Sequence, residues 1–261
     1  MPLVLLILVV LTGVLTSAAV SIDPALDLKI AAYFQLPAVK AAVAALIPWF
    51  NTVRDCNVTL SAAVVLVATG TLLIKVIWPR RSTLMTARAA LIVLATFALG
   101  PTLLANSILK PHSARPRPGS VVELGGTQPF VQWWDWRGQC DSNCSFVSGE
   151  ASGAYALLAP AAVAPAPWRT VAIGTVVVYG TAIGVMRMAV GAHFATDVVF
   201  AGVFTALIVW FLYGWMYRWQ RTRMTEEDVE SFLEECHVWV RAQIARLRRA
   251  RRRANTDLSR S

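Results

Sequence analysis

The chain has 261 residues, of which 56% are hydrophobic and only 15% charged, and its mean hydropathy is +0.56. Soluble domains carry about a quarter charged residues, so this composition excludes an ordinary soluble domain. The net charge of +9 does not indicate a nucleic-acid binder either, because the basic residues gather at the ends of apolar runs, where they act as topology signals.

Apolar runs close to the roughly 20 residues that span a bilayer cover residues 2–20, 59–78, 84–109, 151–166, 170–186 and 198–217. The fourth is short and interrupted by Pro160 and Pro165. The expected fold is an all-α integral membrane bundle of about six transmembrane helices. Residues 1–20 supply the first helix. A signal peptide is the alternative, ending near Ala18-Ala19-Val20, but the basic n-region of such peptides is missing. Residues 21–58 carry Asp23-Pro24, Pro37 and Pro48 among irregularly spaced apolar positions. They read as an external segment of short amphipathic helices on the membrane surface, or as a partly ordered loop. Residues 59–217 form the core, and 218–261 a basic cytoplasmic tail.

Arg80, Arg81 and Arg88 lie around the junction of the second and third runs, Arg169 between the fourth and fifth, and Arg218, Arg221 and Arg223 after the sixth. The positive-inside rule puts these in the cytoplasm, so 21–58, 110–150 and 187–197 face outside.

The outer loop after the third run holds Trp133, Trp134 and Trp136, which suit interfacial packing or a substrate contact. Of four cysteines, Cys56, Cys140 and Cys144 fall outside and Cys236 in the tail. Cys140 and Cys144 are a candidate disulfide in an oxidising compartment. A zinc site is the less plausible reading, because it would need Cys56 and no convincing fourth ligand is near in sequence. In the tail, Thr225-Glu-Glu-Asp228 reads as a capping box. Val229, Phe232, Leu233, Cys236, Val240, Ile244 and Leu247 then follow helical spacing up to Arg248 and Arg249, with Arg251, Arg252 and Arg253 beyond. A basic amphipathic helix suits anionic lipid headgroups, with a coiled-coil seam or a solvated topology signal as the alternatives.

Three blocks carry chemistry, and the topology puts all of them on the outer face. Lys110 and Arg117 in K-x6-R-P offer a point charge and a bidentate fork to a phosphate, with Arg115 as a third cation. Ser148-Gly149 opens a helix, where free N–H groups and a hydroxyl face an anion; a simple N-cap is the plainer reading. In R-x5-H-x3-D, His193 and Asp197 share a helix face. Asp197 can accept from one imidazole nitrogen and leave the other as nucleophile, with Arg187 nearby for phosphate oxygens.

In order and internal spacing these blocks resemble the signatures of the type 2 phosphatidic acid phosphatase family, over about residues 60–215. The resemblance implies a six-helix bundle, no metal and a phosphohistidine intermediate. His193 would attack phosphorus, Asp197 would orient it, and Lys110, Arg117, Ser148, Gly149 and Arg187 would hold the oxygens. One position departs: Glu150 stands where the family pattern P-S-G-H carries the histidine that protonates the leaving alkoxide. Glutamate serves as that acid only if its pKa is raised; otherwise it suits a base on the attacking water. His112 is the other external histidine able to donate. Met186 replaces a usual serine.

The implied function is a lipid phosphatase acting on lipid A, a prenyl pyrophosphate, phosphatidylglycerophosphate or phosphatidic acid at the outer face of a bacterial inner membrane. A lipid-to-lipid phosphotransferase and a non-catalytic lipid-phosphate binder are the alternatives.

Overall fold

The computed structural model describes residues 3–258 and, for residues 250–258, the backbone only. In chain order the principal helices are α1 (Leu3–Ile22), α2 (Leu26–Gln35), α3 (Pro37–Ile77), α4 (Ala87–His112), α5 (Gly149–Ala156), α6 (Leu158–Ala162), α7 (Ala166–Ala189), α8 (Ala195–Arg218) and α9 (Glu226–Leu258). α1, α3, α4, α7 and α8 are long and apolar enough to cross a membrane, and the chain is an integral membrane protein.

The fourth apolar run does not make one continuous helix. It divides at Leu157 into α5 and α6, most of whose residues are buried within the bundle. Ala151, Ala154, Ala156, Ala159 and Ala162 are buried there, and small side chains let neighbouring backbones approach closely inside a membrane.

Residues 21–58 differ from the expected surface segment. Only α2 is a short helix; residues 37–58 belong to α3, which runs unbroken into the second apolar run. Pro37 stands in the first turn of α3, where no N–H is needed. At 1.5 Å per residue the 41 residues of α3 extend about 60 Å, well beyond a bilayer core.

α4 widens into a π-helix over Ala98–Leu109 with Pro101 inside it. Proline has no N–H to give to the preceding turn. Asn106 Nδ2 donates to the Pro101 carbonyl at 2.7 Å and Ser107 Oγ to the Thr102 carbonyl at 3.0 Å, filling acceptors in the wide turn.

One core cluster, around Ile92, Val93, Leu158, Val209 and Leu212, fills the half of the bundle nearer the tail. A second, around Leu109, Phe146, Val147 and Phe200, lies at the opposite end. Trp133 packs on this second cluster, with its ring 4.3 Å from Phe200 and 5.6 Å from Phe146, whereas Trp134 and Trp136 stay exposed.

The tail folds back beneath the bundle. Thr225 and Asp228 cap α9 reciprocally, at 2.7 and 3.1 Å. Val229 and Leu233 bury against Ala87 and Leu91. Glu226 accepts from the first N–H groups of α4, at Ala87 (2.7 Å) and Arg88 (3.3 Å). Phe232, Trp239 and Leu247 remain exposed. The side chains of Arg251, Arg252 and Arg253 lie outside the described residues.

Candidate active site

The site forms where α8 begins. Asp197 sits in the first turn and accepts the backbone N–H of Phe194 at 2.8 Å, as an N-terminal carboxylate should. The preceding residue, His193, is 1% exposed. Its Nδ1 lies 2.8 Å from the carbonyl of Ser145 and 3.7 Å from Asp197. A carbonyl only accepts, so Nδ1 carries the hydrogen and Nε2 of the neutral ring keeps its lone pair.

This corrects the expected Asp197–His193 hydrogen bond. Asp197 folds back on its own helix terminus and is claimed there by Phe194, by the Ser145 hydroxyl and by Arg115 Nη1 at 2.5 Å. Asp197 therefore fixes Ser145, and Ser145 fixes the imidazole.

Nε2 of His193 faces Glu150 Oε2 at 3.5 Å, and Glu150 Oε1 faces Arg187 Nη2 at 3.4 Å. His193 Nε2, Glu150 Oε2 and Arg187 Nε are buried with no hydrogen-bond partner among the described residues. Polar atoms so placed suit a polar ligand. Burial pushes the Glu150 carboxyl up, but the adjacent His193 ring and the charge of Arg187 outweigh it and hold the carboxyl well below the usual carboxylate range. In this arrangement Glu150 is ionised and accepts a proton rather than donating one.

Ser148 is buried and caps α5: its Oγ accepts the Ala151 N–H at 3.4 Å and its own N–H donates to the Asp197 carbonyl at 3.1 Å. Gly149 leaves room for these side chains: a Cβ there would stand 3.0 Å from both Lys110 Nζ and Asn106 Oδ1 and would push them aside. Lys110 thus reaches across α5 and sits within electrostatic range of Glu150, Arg117, Arg187 and Asp197. Arg117 donates through Nε and Nη2 to the Asn143 carbonyl at 3.1 and 3.0 Å. Asn143 lies in a loop closed by a disulfide between Cys140 and Cys144, with Cα atoms 5.7 Å apart. His112 is exposed, and its Nδ1 is 2.7 Å from the Ile108 carbonyl of its own helix.

Arg115 is not free for phosphate. Fully buried, it is held by Asp27, Thr196, Asp197 and the Val131 carbonyl, with the Phe194 ring beneath it at 4.4 Å. Asp27 of α2 is the residue sequence reasoning missed. It is 1% exposed and binds Arg115 Nη2 (2.8 Å), Thr196 Oγ1 (2.5 Å) and the Thr196 N–H (3.1 Å). The one available signal was an aspartate at the start of a short apolar helix. Asn57 of α3 is a second omission, donating to the Glu150 carbonyl at 3.1 Å and accepting from Tyr179 at 3.1 Å.

The fold and site define a helical membrane protein with an anion-attracting pocket at one end of the bundle and an imidazole lone pair facing into it. The chain belongs to the PAP2 superfamily, whose model matches residues 89–221. It is similar to the lipid A 4'-phosphatase of Francisella tularensis subsp. novicida (strain U112), with 41% identity over 121 residues, covering 46% of this chain and 54% of that protein. It is also similar to the lipid A 4'-phosphatase of Rhizobium etli, with 38% identity over 123 residues, 47% of this chain and 48% of that protein. The chain thus spans about half the length of the curated relatives it matches. Among solved structures, a transmembrane PAP2-type phosphatidylglycerolphosphate phosphatase from Bacillus subtilis matches at 23% identity and a TM-score of 0.43, over 72% of this chain and 90% of that one.

Proposed function

We propose that the protein is a membrane lipid phosphatase that removes a phosphate from a phosphorylated glycolipid of the lipid A kind, through a phosphohistidine on His193. The observation that carries this reading is the Ser145 carbonyl on Nδ1, which leaves the Nε2 lone pair facing a pocket flanked by Glu150 and Arg187. Superfamily membership and the similarity to two lipid A 4'-phosphatases support the reaction and the lipid.

In the first step Nε2 attacks phosphorus, the P–O bond to the lipid breaks, and the lipid alkoxide takes from Glu150 the proton that this carboxylate picks up from solvent as the phosphate dianion binds. In the second step water attacks phosphorus, its proton goes to Glu150, and the P–N bond breaks to release phosphate and the free imidazole. One proton thus shuttles on Glu150. A phosphate dianion in the pocket raises the proton affinity of that carboxyl and draws Lys110, Arg117 and Arg187 to its own oxygens. Gly149 leaves room for Lys110, and Ser148 supports the site as the cap of α5.

The site faces the periplasm from a bacterial inner membrane, as the basic cytoplasmic junctions favour. The exposed Phe232, Trp239, Ile244 and Leu247, alternating with Arg241, Arg246 and Arg248, suit contact of α9 with anionic headgroups.

The test is phosphate release by purified protein in detergent, with chelator present, from lipid A, prenyl pyrophosphate, phosphatidylglycerophosphate and phosphatidic acid. Release from lipid A, lost in His193→Ala, is the expected result. Release from none of these lipids would overturn the reading.

A further inference from the structure

The family match begins at residue 89, yet a buried carboxylate from outside it reaches the catalytic helix. Asp27 binds Arg115, Arg115 binds Asp197, Asp197 accepts from the Ser145 hydroxyl, and the Ser145 carbonyl accepts from His193 Nδ1. Each link is a hydrogen bond or an ion pair. Asp27, Arg115, Asp197, Ser145 and His193 are all essentially sealed from solvent.

Charge counting gives this chain a purpose. Arg115 alone would neutralise Asp197 and leave no net charge behind the imidazole. With Asp27 on the other edge of the guanidinium, two carboxylates share one cation and the cluster keeps a net negative charge. Attack by Nε2 while Nδ1 keeps its hydrogen puts positive charge on the imidazole ring, which a buried negative cluster stabilises. Asp27 also accepts the Thr196 N–H and hydroxyl, so it fixes the first turn of α8, which carries Asp197. The N-terminal helix α2 is thereby built into the site.

We infer that Asp27 is a positioning residue of the reaction, which acts through Arg115 and Asp197 to hold and charge-balance His193. The inference rests on the phosphatase reading given above. The other charged groups near the imidazole are Glu150 of α5, paired with Arg187 of α7, and Lys110 of α4; none of them touches Asp27 among the described residues. Replacing Asp27 therefore changes the background charge while leaving the pocket's own cations and acceptor in place.

The test compares wild type, Asp27→Asn and Asp27→Glu. In the phosphate-release assay, Asp27→Asn should lower kcat by about tenfold or more, with KM changed less than about threefold. The acidic limb of the rate profile should move to lower pH by up to about one unit, as expected for a lost charge on the order of 10 Å away. Asp27→Glu should recover most of the shift. A purely structural role would lower the active fraction without moving the limb. The chain has only 3 histidines, so 15N-histidine spectra of the same proteins in detergent report the His193 titration without any substrate. An unmoved titration in Asp27→Asn, whether or not the wild type is active, overturns the inference. An inactive wild type with a moved titration overturns only the phosphatase reading.

Discussion

His193 gives its Nδ1–H to the carbonyl of Ser145 at 2.8 Å, while Asp197 stands 3.7 Å from the same nitrogen. The imidazole is oriented by backbone, and backbone cannot be removed by a side-chain substitution. His193→Ala should abolish turnover, by about 10³-fold or more. Ser145→Ala, which keeps the carbonyl and loses only the hydroxyl to Asp197, should cost about 10-fold, the order of one net hydrogen bond. Phosphate release by the two variants checks both figures.

Glu150→Gln keeps the shape of the side chain but cannot carry the proton. Its kcat should fall by about 10²- to 10⁴-fold, the usual range for a lost acid or base. A variant with more than about a third of wild-type kcat would remove Glu150 from the chemistry.

The same carboxyl makes a prediction about stability. Its pKa is lowered in the folded protein, so its contribution is present above the ordinary carboxylate range and is lost as pH falls through and below that range. The melting temperature in detergent should fall between about pH 5 and pH 3. In Glu150→Gln that fall should be shallower.

Arg115→Met should be the most destabilising of these substitutions, because it strands Asp27 and Asp197 as buried charges facing an apolar side chain. Breaking one buried pair costs about 3–5 kcal/mol. A resistance to denaturation equal to wild type would show that the pairing contributes little. Arg115→Lys should fall between, since one ammonium cannot reproduce the fork that spans both carboxylates.

At the opposite end, Glu226→Ala should remove about 1 kcal/mol by taking away the acceptor of the Ala87 and Arg88 N–H groups, while Thr86 still caps Ala89. Its activity at low temperature should be unchanged. Thermal melts beside initial rates separate the two effects.

The six apolar runs and the three chemical blocks are local patterns, and the structure gathers Lys110, Glu150, Arg187 and His193 as their order suggests. What stayed hidden depends on pairing at a distance. Asp27 and Arg115 are 88 positions apart, and no periodicity links them. Arg115 therefore read as one more phosphate cation. The Ser145 carbonyl has no side-chain signature at all, so the nearest carboxylate in sequence, Asp197, was given its task. The division of residues 151–166 into α5 and α6 was foreshadowed by the prolines. The fusion of 37–58 with the next span was not, because Pro48, which the structure keeps inside α3, reads in sequence as a helix breaker.

The π-wound middle of α4 lies between the cap at Glu226 and the lysine at the other end. Wider winding turns the chain less per residue than an α-helix, so the direction in which Lys110 points is the sum of rotations accumulated over Ala98–Leu109. Pro101, which lines the same cavity as Lys110, Gly149 and Glu150, is therefore part of the aim of a side chain further along its own helix. A substitution there that rewinds the helix would swing Lys110 off its target, and activity would be lost without any change to a charged residue of the site.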